Sequence, residues 1–422
     1  MQAERQMLEP GRSSAASAGH ADAESKPTRR VLAVIRWPVG GIRTYIKYHY
    51  PILAEHGYRF TFVGPDDPTF HDFATDCSGW PDTEFHAARV TGKTCHLRPV
   101  VRTLLRTRQI DLLHSHGLKA ATQVVLANYL SRTPHIVTSH DVFLPQHFAG
   151  WKGPLKRQVM QTLLGQADRV ICVGGPALQN HIQNLPRLAR KTEKLVAIRN
   201  GIDTRRFDRN RSDIEPANLR ERLGVDQNVA LLGFFGRFME QKGFLPLLSA
   251  IKSLQEHPPK RPFHLVAVGS GDFENYYRRE ITRLELDSLI TILPAVPDIA
   301  PMLFEVDVVV MPSLWEACGL LAMEAMSAGT PLIVSDCDTL PELAHDTPAR
   351  IAGASDAAAW DAALREAIDA PWTAAARSYA PTAQTRFDCS QSADLLRTTF
   401  EDVLSDSSRL CTERTPASRD AV

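Results

Sequence analysis

Residues 306–335 read VDVVVMPSLWEACGLLAMEAMSAGTPLIVS. A β-branched run, Val306–Met311, leads into a polar turn containing Pro312 and Gly319. A stretch of Ala, Leu, Met and Glu follows at about 318–328, then a second apolar run at Pro331–Ser335. Strand, helix and strand in this order predict a βαβ unit, because only a crossover connection brings two strands into parallel register. Strands that are apolar at almost every position, rather than at alternate ones, are those buried on both faces of a sheet.

The same alternation extends outward in both directions. Towards the N-terminus of this half, strands are expected at Val229–Phe235, Phe263–Gly269 and Leu289–Leu293, with helices near 243–256, 272–285 and, beyond the quoted stretch, 355–368. The first half repeats the pattern with Val31–Ile35, Arg59–Val63, Ile110–His114, His135–Ser139, Arg169–Val173 and Leu195–Ile198. A helix from about Ile42 to His56 follows the turn Trp37–Gly41 and is expected to kink at Pro51. The character changes at Asn200-Gly-Ile-Asp203, after which residues 204–222 are heavily charged. A chain of 422 residues also exceeds what one core fills. The predicted architecture is α/β: two Rossmann-like doubly wound domains, residues 29–200 and 201–388, facing each other across a cleft. Residues 371–388 read as irregular, 389–405 as a terminal helix that could cross back to the first domain, and 1–28 and 406–422 as disordered tails.

Composition narrows the class. Hydrophobic content of 44% and charged content of 23% are those of an ordinary globular protein, with no repeat period and no disulfide scaffold. The seven cysteines are odd in number, contain no C-x-x-C pair and sit in apolar runs such as Val170–Val173. Reduced thiols and a cytoplasmic setting are therefore expected. The N-terminal residues lack the apolar core of a signal peptide, and no run approaches the ~18 apolar residues of a membrane span. The zero net charge hides an asymmetry. Residues 29–200 carry 23 Lys and Arg against 11 Asp and Glu, and residues 201–422 carry 22 against 33. A basic half suits an anionic acceptor, donor phosphates or an anionic membrane face; equally, opposite charges could simply dock the domains. No nucleic-acid partner is expected.

Four constellations could carry chemistry. In Gly236-Arg-Phe-Met-Glu-Gln-Lys-Gly243, two cations follow a buried strand directly; Arg237 and Lys242 would suit a diphosphate, or be two exposed loop cations. Glu316 and Glu324 stand eight residues apart around a helix start. Glu324 lies among Leu, Ala and Met, where a carboxylate needs a partner, either ribose hydroxyls or an internal salt bridge. Glu316 could accept from a sugar hydroxyl, and the N–H groups at Gly319, Leu320 and Leu321 could bind a phosphate. Gly40-Gly41 follows the first strand as a phosphate-binding turn or an ordinary βα turn. His140, in Thr138-Ser-His-Asp141, sits at a strand end, facing the cleft or serving as a core histidine. His114 and His116 lack a third ligand of their own, so no metal is assigned.

At these residues the sequence resembles the retaining GT-B glycosyltransferases of family 4, over roughly residues 31–405. G-R-x-x-x-x-K-G matches Gly236–Gly243, E-x7-E matches Glu316 to Glu324, and N-G-(V/I)-D matches Asn200–Asp203. The resemblance implies transfer of a hexose-type sugar from a UDP-, GDP- or ADP-sugar to a glycan or lipid-linked acceptor, as in cell-surface polysaccharide or glycolipid synthesis. It implies no cofactor beyond the donor itself. The first domain would take the acceptor and the second the donor. Arg237 and Lys242 would hold the diphosphate, Glu324 the ribose, and Glu316 the transferred sugar with the backbone of Gly319, Leu320 and Leu321. Gly41 would lie against phosphates or acceptor, His140 near the transferred sugar, and Val296 near the base. Departures occur at Glu316-Ala-Cys-Gly319, where E-P-F-G is frequent, at Ala295 and at Asp338–Glu342; all touch donor-side loops.

In mechanism, the leaving diphosphate gains negative charge as the anomeric carbon becomes oxocarbenium-like. Arg237, Lys242 and a helix N-terminus can stabilise that charge without a metal. Arg98, Arg102 and Arg106, spaced by four, and the basic aromatic segment Trp151–Arg157 offer a peripheral contact with an anionic membrane, or are solvated helix faces. A nucleotide-sugar epimerase on the same fold and a non-catalytic nucleotide-sugar-binding subunit are the alternatives. A Rossmann dehydrogenase is disfavoured because Val268–Glu274 lacks a third glycine.

Overall fold

The structure, a computed structural model, describes residues 28–211 and 213–412. The N-terminal tail expected for residues 1–28 falls, apart from Thr28, outside the described residues. The first sheet contains β1 (Arg29–Ile35), β2 (Tyr58–Pro65), β3 (Glu84–Ala88), β4 (Leu112–His116), β5 (His135–Ser139), β6 (Arg169–Cys172) and β7 (Leu195–Ala197). The second contains β8 (Ala230–Phe235), β9 (Phe263–Val268), β10 (Ile290–Leu293), β11 (Val308–Met311), β12 (Leu332–Ser335) and β13 (Arg350–Ala352). All neighbours within each sheet are parallel. The orders are 3-2-1-4-5-6-7 and 10-9-8-11-12-13, so both sheets reverse direction of winding beside their first strand.

β1 shows why the apolar runs are continuous. Val31 pairs with Phe60 on one side and Leu112 on the other, and Val31–Ile35 are fully buried between helical layers on both faces. The strands missed from sequence are edges: β3, β13 and a small hairpin of Val90–Thr91 with Thr94–Cys95. They are short and partly exposed, with Glu84 and Arg350 inside them, so they carry neither the length nor the apolar run of a central strand.

Helix α1 (Gly41–Glu55) runs through Pro51 without ending. Helix α2 (Leu320–Ser327) is the crossover of the quoted βαβ unit. Residues 371–388 are not irregular: they form helix α3 (Thr373–Phe387), which packs on α2. Pro381 and the polar residues hid it, and packing overrides their weak propensity. Helix α4 (Cys389–Thr412) continues past Ser405, where a tail was expected, and residues 413–422 lie outside the described residues. α4 packs on the first sheet, with Leu396, Phe400 and Val403 buried among Val31, Ala33 and Tyr58.

The chain therefore passes between the domains twice, and the two crossings are bonded together. Ile202 N–H donates to the Phe387 carbonyl at 2.8 Å and Cys389 N–H donates to the Ile202 carbonyl at 2.9 Å. A Cβ on Gly201 would lie 2.5 Å from the Cα of Cys389, so only glycine permits the crossings to touch. Arg199 makes an ion pair with Glu342 of the second domain beside this hinge.

Candidate active site

Ligands of doubly wound sheets bind beyond the strand carboxyl ends where the strand order reverses. In the first sheet that point lies between β1 and β4, at the start of α1; in the second it lies between β8 and β11. Gly40-Gly41, Gly236-Arg237 and Pro312–Glu316 therefore all emerge at switch points, by topology rather than by proximity in sequence.

The second domain supplies the charged wall. Gly243 has φ 65°, and a Cβ there would sit 1.7 Å from the Pro312 carbonyl oxygen. The last glycine of the Gly236–Gly243 motif is thus dictated by the close approach of two loops. That approach seats Lys242 against Glu316 in an ion pair. Ser313 Oγ donates to Glu316 Oε1 at 3.0 Å, and Thr339 Oγ1 donates to the Glu316 and Ala317 carbonyls at 3.2 and 3.1 Å. Gln241 Nε2 donates to the Trp315 carbonyl at 2.9 Å. Glu316 is buried and held from three directions before any ligand arrives.

Arg237 is different. It is exposed and makes no hydrogen bond or ion pair among the described residues. Its Nε would lie 3.5 Å from a Cβ built on Gly40, so it reaches across to the first domain. Beside it, α2 begins at Gly319 with no side-chain cap. Ala322 and Met323 bond back to the Gly319 carbonyl, leaving the Leu320 and Leu321 N–H groups without an acceptor among the described residues. Gly41 stands opposite, its Cβ position 3.9 Å from Leu320 Cδ1. An unpaired guanidinium and a bare helix N-terminus facing glycine backbone make a cleft whose charge and dipole suit an anion.

Glu324, one turn into α2, is only 8% exposed, and its carboxylate has no hydrogen bond or ion pair among the described residues. The internal salt bridge is absent: the nearby Arg206 pairs with Asp298 at 2.9 Å. Burial pushes the Glu324 carboxyl up to about 7, with Arg206 opposing and Asp298 reinforcing. Val296 lies two residues before Asp298 in the loop after β10, half-buried against the core. Tyr48 of α1 faces the same group, and burial together with Glu324 holds its hydroxyl protonated.

His140 follows β5 from the first domain and is half-buried. Its neighbour Asp141 feels the charges of Arg237 and Glu316, which places this strand end across from the charged wall. Burial lowers His140 to about 3, so the ring is neutral. His114 and His116 do not line the cleft. They are fully buried and bonded to Tyr50 and Thr138, and no group of three or more His, Cys, Asp or Glu among the described residues is arranged to hold a metal.

The structure thus gathers Arg237, Lys242, Glu316, Gly319, Leu320 and Leu321 opposite Gly41, with Glu324 and Val296 joined through Arg206–Asp298 further along. Gly40 stood in the Gly40-Gly41 pair noticed in the sequence, but sequence inspection missed Ser313, Thr339, Arg206 and Asp298, ordinary polar residues whose roles depend, apart from Ser313, on contacts more than twenty residues away.

Two doubly wound domains facing across such a cleft define the GT-B architecture. The family model described as Glycosyltransferase Family 4 matches residues 39–206, and the one described as Glycosyl transferases group 1 matches residues 230–370. An uncharacterized glycosyltransferase of Methanocaldococcus jannaschii is 35% identical over 246 residues, covering 57% of this chain and 61% of that one. A D-inositol 3-phosphate glycosyltransferase of Corynebacterium kroppenstedtii is 27% identical over 275 residues, covering 61% and 59%. The matched region thus spans about three fifths of these relatives' length. Anabaena HepE, solved with UDP and glucose, superposes with a TM-score of 0.75 over 89% of this chain and 100% of its own, at 22% identity. The chain belongs to the group 1, family 4 glycosyltransferases.

Proposed function

We propose that this protein is a retaining, metal-independent glycosyltransferase that moves a hexose-type sugar from a nucleoside diphosphate sugar to a glycan or lipid-linked acceptor. The observation that carries this is the unpaired Arg237 beside the bare N-terminus of α2, both facing Gly40–Gly41 across the cleft. A diphosphate in that gap meets a guanidinium fork, two backbone N–H groups and, behind them, the Lys242 ammonium. As the bond to the anomeric carbon breaks, negative charge grows on the diphosphate, and these groups stabilise it in place. Glu324 then receives the ribose hydroxyls, which supply the partners its buried carboxylate lacks. Glu316, held by Lys242 and Ser313, accepts from a hydroxyl of the transferred sugar. Attack from the face the diphosphate leaves, with the leaving phosphate taking the acceptor proton, gives retention.

HepE structures contain UDP, UDP-glucose or UDP and glucose, and a starch synthase IV of Arabidopsis thaliana was solved with ADP, which supports a nucleotide-sugar donor here. Thermal-shift screening of UDP-, GDP- and ADP-sugars, followed by kinetics with the donor that stabilises, tests the proposal. Release of an isomerised sugar without an acceptor supports an epimerase instead, and donor binding with no turnover a binding subunit.

The acceptor end faces a membrane surface on this reading. No helix among the described residues is long and apolar enough to cross a bilayer. Trp151 is 87% exposed and leads into the helix Gly153–Leu164, which exposes Leu155 and Val159 beside Lys152, Lys156 and Arg157. The adjoining helix Leu118–Asn128 ends at exposed Tyr129 and Leu130. The next neighbour, Leu97–Thr107, carries Arg98, Arg102 and Arg106. Apolar side chains interleaved with cations suit an anionic interface on the inner, cytoplasmic leaflet, where a lipid-linked acceptor would sit. Sedimentation with anionic vesicles at low salt tests this; protein remaining in the supernatant rejects it.

A further inference from the structure

The first domain's side of the cleft holds an aromatic ring and two cations that the donor chemistry above does not use. Trp37, Lys119 and Asp141 follow β1, β4 and β5, three strands that lie side by side, so the three residues emerge together at one edge of the sheet. Trp37 is 49% exposed, and its indole N–H has no acceptor among the described residues. The Arg36 guanidinium lies 4.0 Å from the Trp37 ring centroid and the Lys119 ammonium 6.0 Å. Asp141 feels the charges of both Arg237 and Lys119, which places this group beside the donor wall. Neither of the two cations is neutralised. Arg36 is only 7% exposed; it donates to the Lys93 carbonyl at 3.0 Å and has no ion pair among the described residues. Lys119 is exposed, and its ammonium has no hydrogen bond or ion pair among the described residues. The acidic residues at the end of neighbouring β2 have other partners: Asp67 caps the helix Pro68–Asp76 and accepts from the Thr69 hydroxyl, and Asp66 faces His71 at 3.2 Å.

We propose that Trp37, Arg36 and Lys119 form the acceptor subsite, and that the acceptor it selects is a sugar ring bearing an anionic group, a phosphate or a carboxylate.

Each half of that ligand answers a feature of the site. An exposed indole offers a broad apolar face with a polar N–H at its rim, which suits the C–H face and the hydroxyls of a sugar ring. An arginine more than nine-tenths buried without a carboxylate is uncommon, because a desolvated charge needs a partner. The ring of Trp37 supplies part of that compensation. An anion held between Arg36 and Lys119 supplies the rest, through charge-assisted hydrogen bonds. The excess of cations over residues 29–200, 23 Lys and Arg against 11 Asp and Glu, draws such a ligand to this domain. Charge also sets its orientation. Asp141 and Glu316 repel the anionic group from the donor end, while Arg36 and Lys119 hold it at the Trp37 end. A hydroxyl of the same ring is thereby turned towards the donor, where the Asp141 carboxylate can accept from it. Trp37 and Lys119 determine specificity by touching the acceptor. Arg36 adds charge and, by stacking on Trp37 and bonding to Lys93, fixes the plane of the indole.

The role as acceptor subsite rests on the transferase proposal, but binding is measured on the free protein without a donor. The full chain labelled with ¹⁵N at tryptophan gives six indole signals, and that of Trp37 is the one lost in Trp37→Phe. Glucose, glucose 6-phosphate, glucuronate and inorganic phosphate are titrated in turn. The Trp37 signal should shift saturably with glucose 6-phosphate, with glucuronate or with both, and these two arms separate a phosphate from a carboxylate. Glucose lacks the charge and inorganic phosphate lacks the ring, so each should bind about tenfold more weakly or less, the worth of one charge-assisted hydrogen bond or one stacked ring. Lys119→Ala should weaken the anionic sugar by about the same factor, and Lys119→Arg should restore it. Lys119 is exposed, so both variants keep the fold. A Trp37 signal unmoved by either anionic sugar, glucose binding as tightly as its charged derivatives, or a titration indifferent to Lys119→Ala overturns the proposal. A responsive Trp37 in a protein that binds no nucleotide sugar would instead count against the transferase reading and leave a binding site for anionic sugars. Nucleotide-sugar binding with a silent Trp37 would do the reverse.

Discussion

Replacing Glu324 by glutamine removes a carboxyl that burial lifts from 4.5 to about 7. The folded state binds this proton more tightly than the unfolded chain does. Its contribution is therefore most favourable below pH 4.5, declines as pH rises through 7, and is a full penalty above that. Glu324→Gln removes the penalty. With these two values, linkage gives a substitution about 2.5 kcal/mol more stabilising at pH 8 than at pH 5. Donor binding should move the opposite way. Ribose hydroxyls donate to the ionised carboxylate and return its pKa to the ordinary range or below. Wild-type affinity for the donor should then fall about 70-fold between pH 8 and pH 5, while Glu324→Gln binds weakly at both. Urea titrations of both proteins at the two pH values, and calorimetric titration with the nucleotide sugar that stabilises the wild type, supply the numbers. Comparison with the variant cancels the other groups that titrate in this window. If Glu324→Gln is no more stabilising at pH 8 than at pH 5, or wild-type donor affinity is flat, Glu324 is neither an unpaired buried acid nor the ribose ligand.

Arg237→Ala and Lys242→Ala should each lower kcat by about 10²–10³-fold, as loss of a preorganised charge does; turnover within a few-fold of wild type in both would sink the charge argument. Lys242→Ala should in addition destabilise the fold by a few kcal/mol, about what breaking a buried pair costs, because Glu316, 7% exposed, loses its cation. Gly243→Ala places a Cβ 1.7 Å from the Pro312 carbonyl and should abolish donor binding and lower the unfolding midpoint in urea; wild-type behaviour would show that the two loops do not meet as described. Phe400→Ala, in the returning helix, should cost about 3–5 kcal/mol of stability, and a smaller loss measured by urea titration would mean that α4 does not complete the first domain's core.

Much of this protein was legible in its sequence because parallel sheets are written in a plain code. Val306–Met311 and Pro331–Ser335 are apolar at nearly every position since helices cover both faces, and central strands such as β1 and β8 show the same signature. The edges β3 and β13 pair on one side only and tolerate Glu84 and Arg350, so nothing local marks them. Helix α3 was hidden for a related reason: Pro381 and polar residues give it little intrinsic preference, and contact with α2 makes it helical.

The motif residues were visible as types and spacings, and Arg237, Lys242, Glu316 and Glu324 could be named from them. What each does was decided by the fold. Glu316 and Glu324 look alike in sequence, yet one is neutralised by Lys242 and the other is buried without a partner. Arg237 and Lys242 are equally cationic, yet Lys242 is already paired with Glu316 while Arg237 makes no hydrogen bond or ion pair among the described residues. His114 and His116 suggested a metal or a core; the structure turned them inward, behind His140. Hydrophobic periodicity is a local property, and sequence alone determines it. Charge pairing, desolvation and proton placement depend on which atoms meet across scores or hundreds of residues, and only tertiary structure decides that.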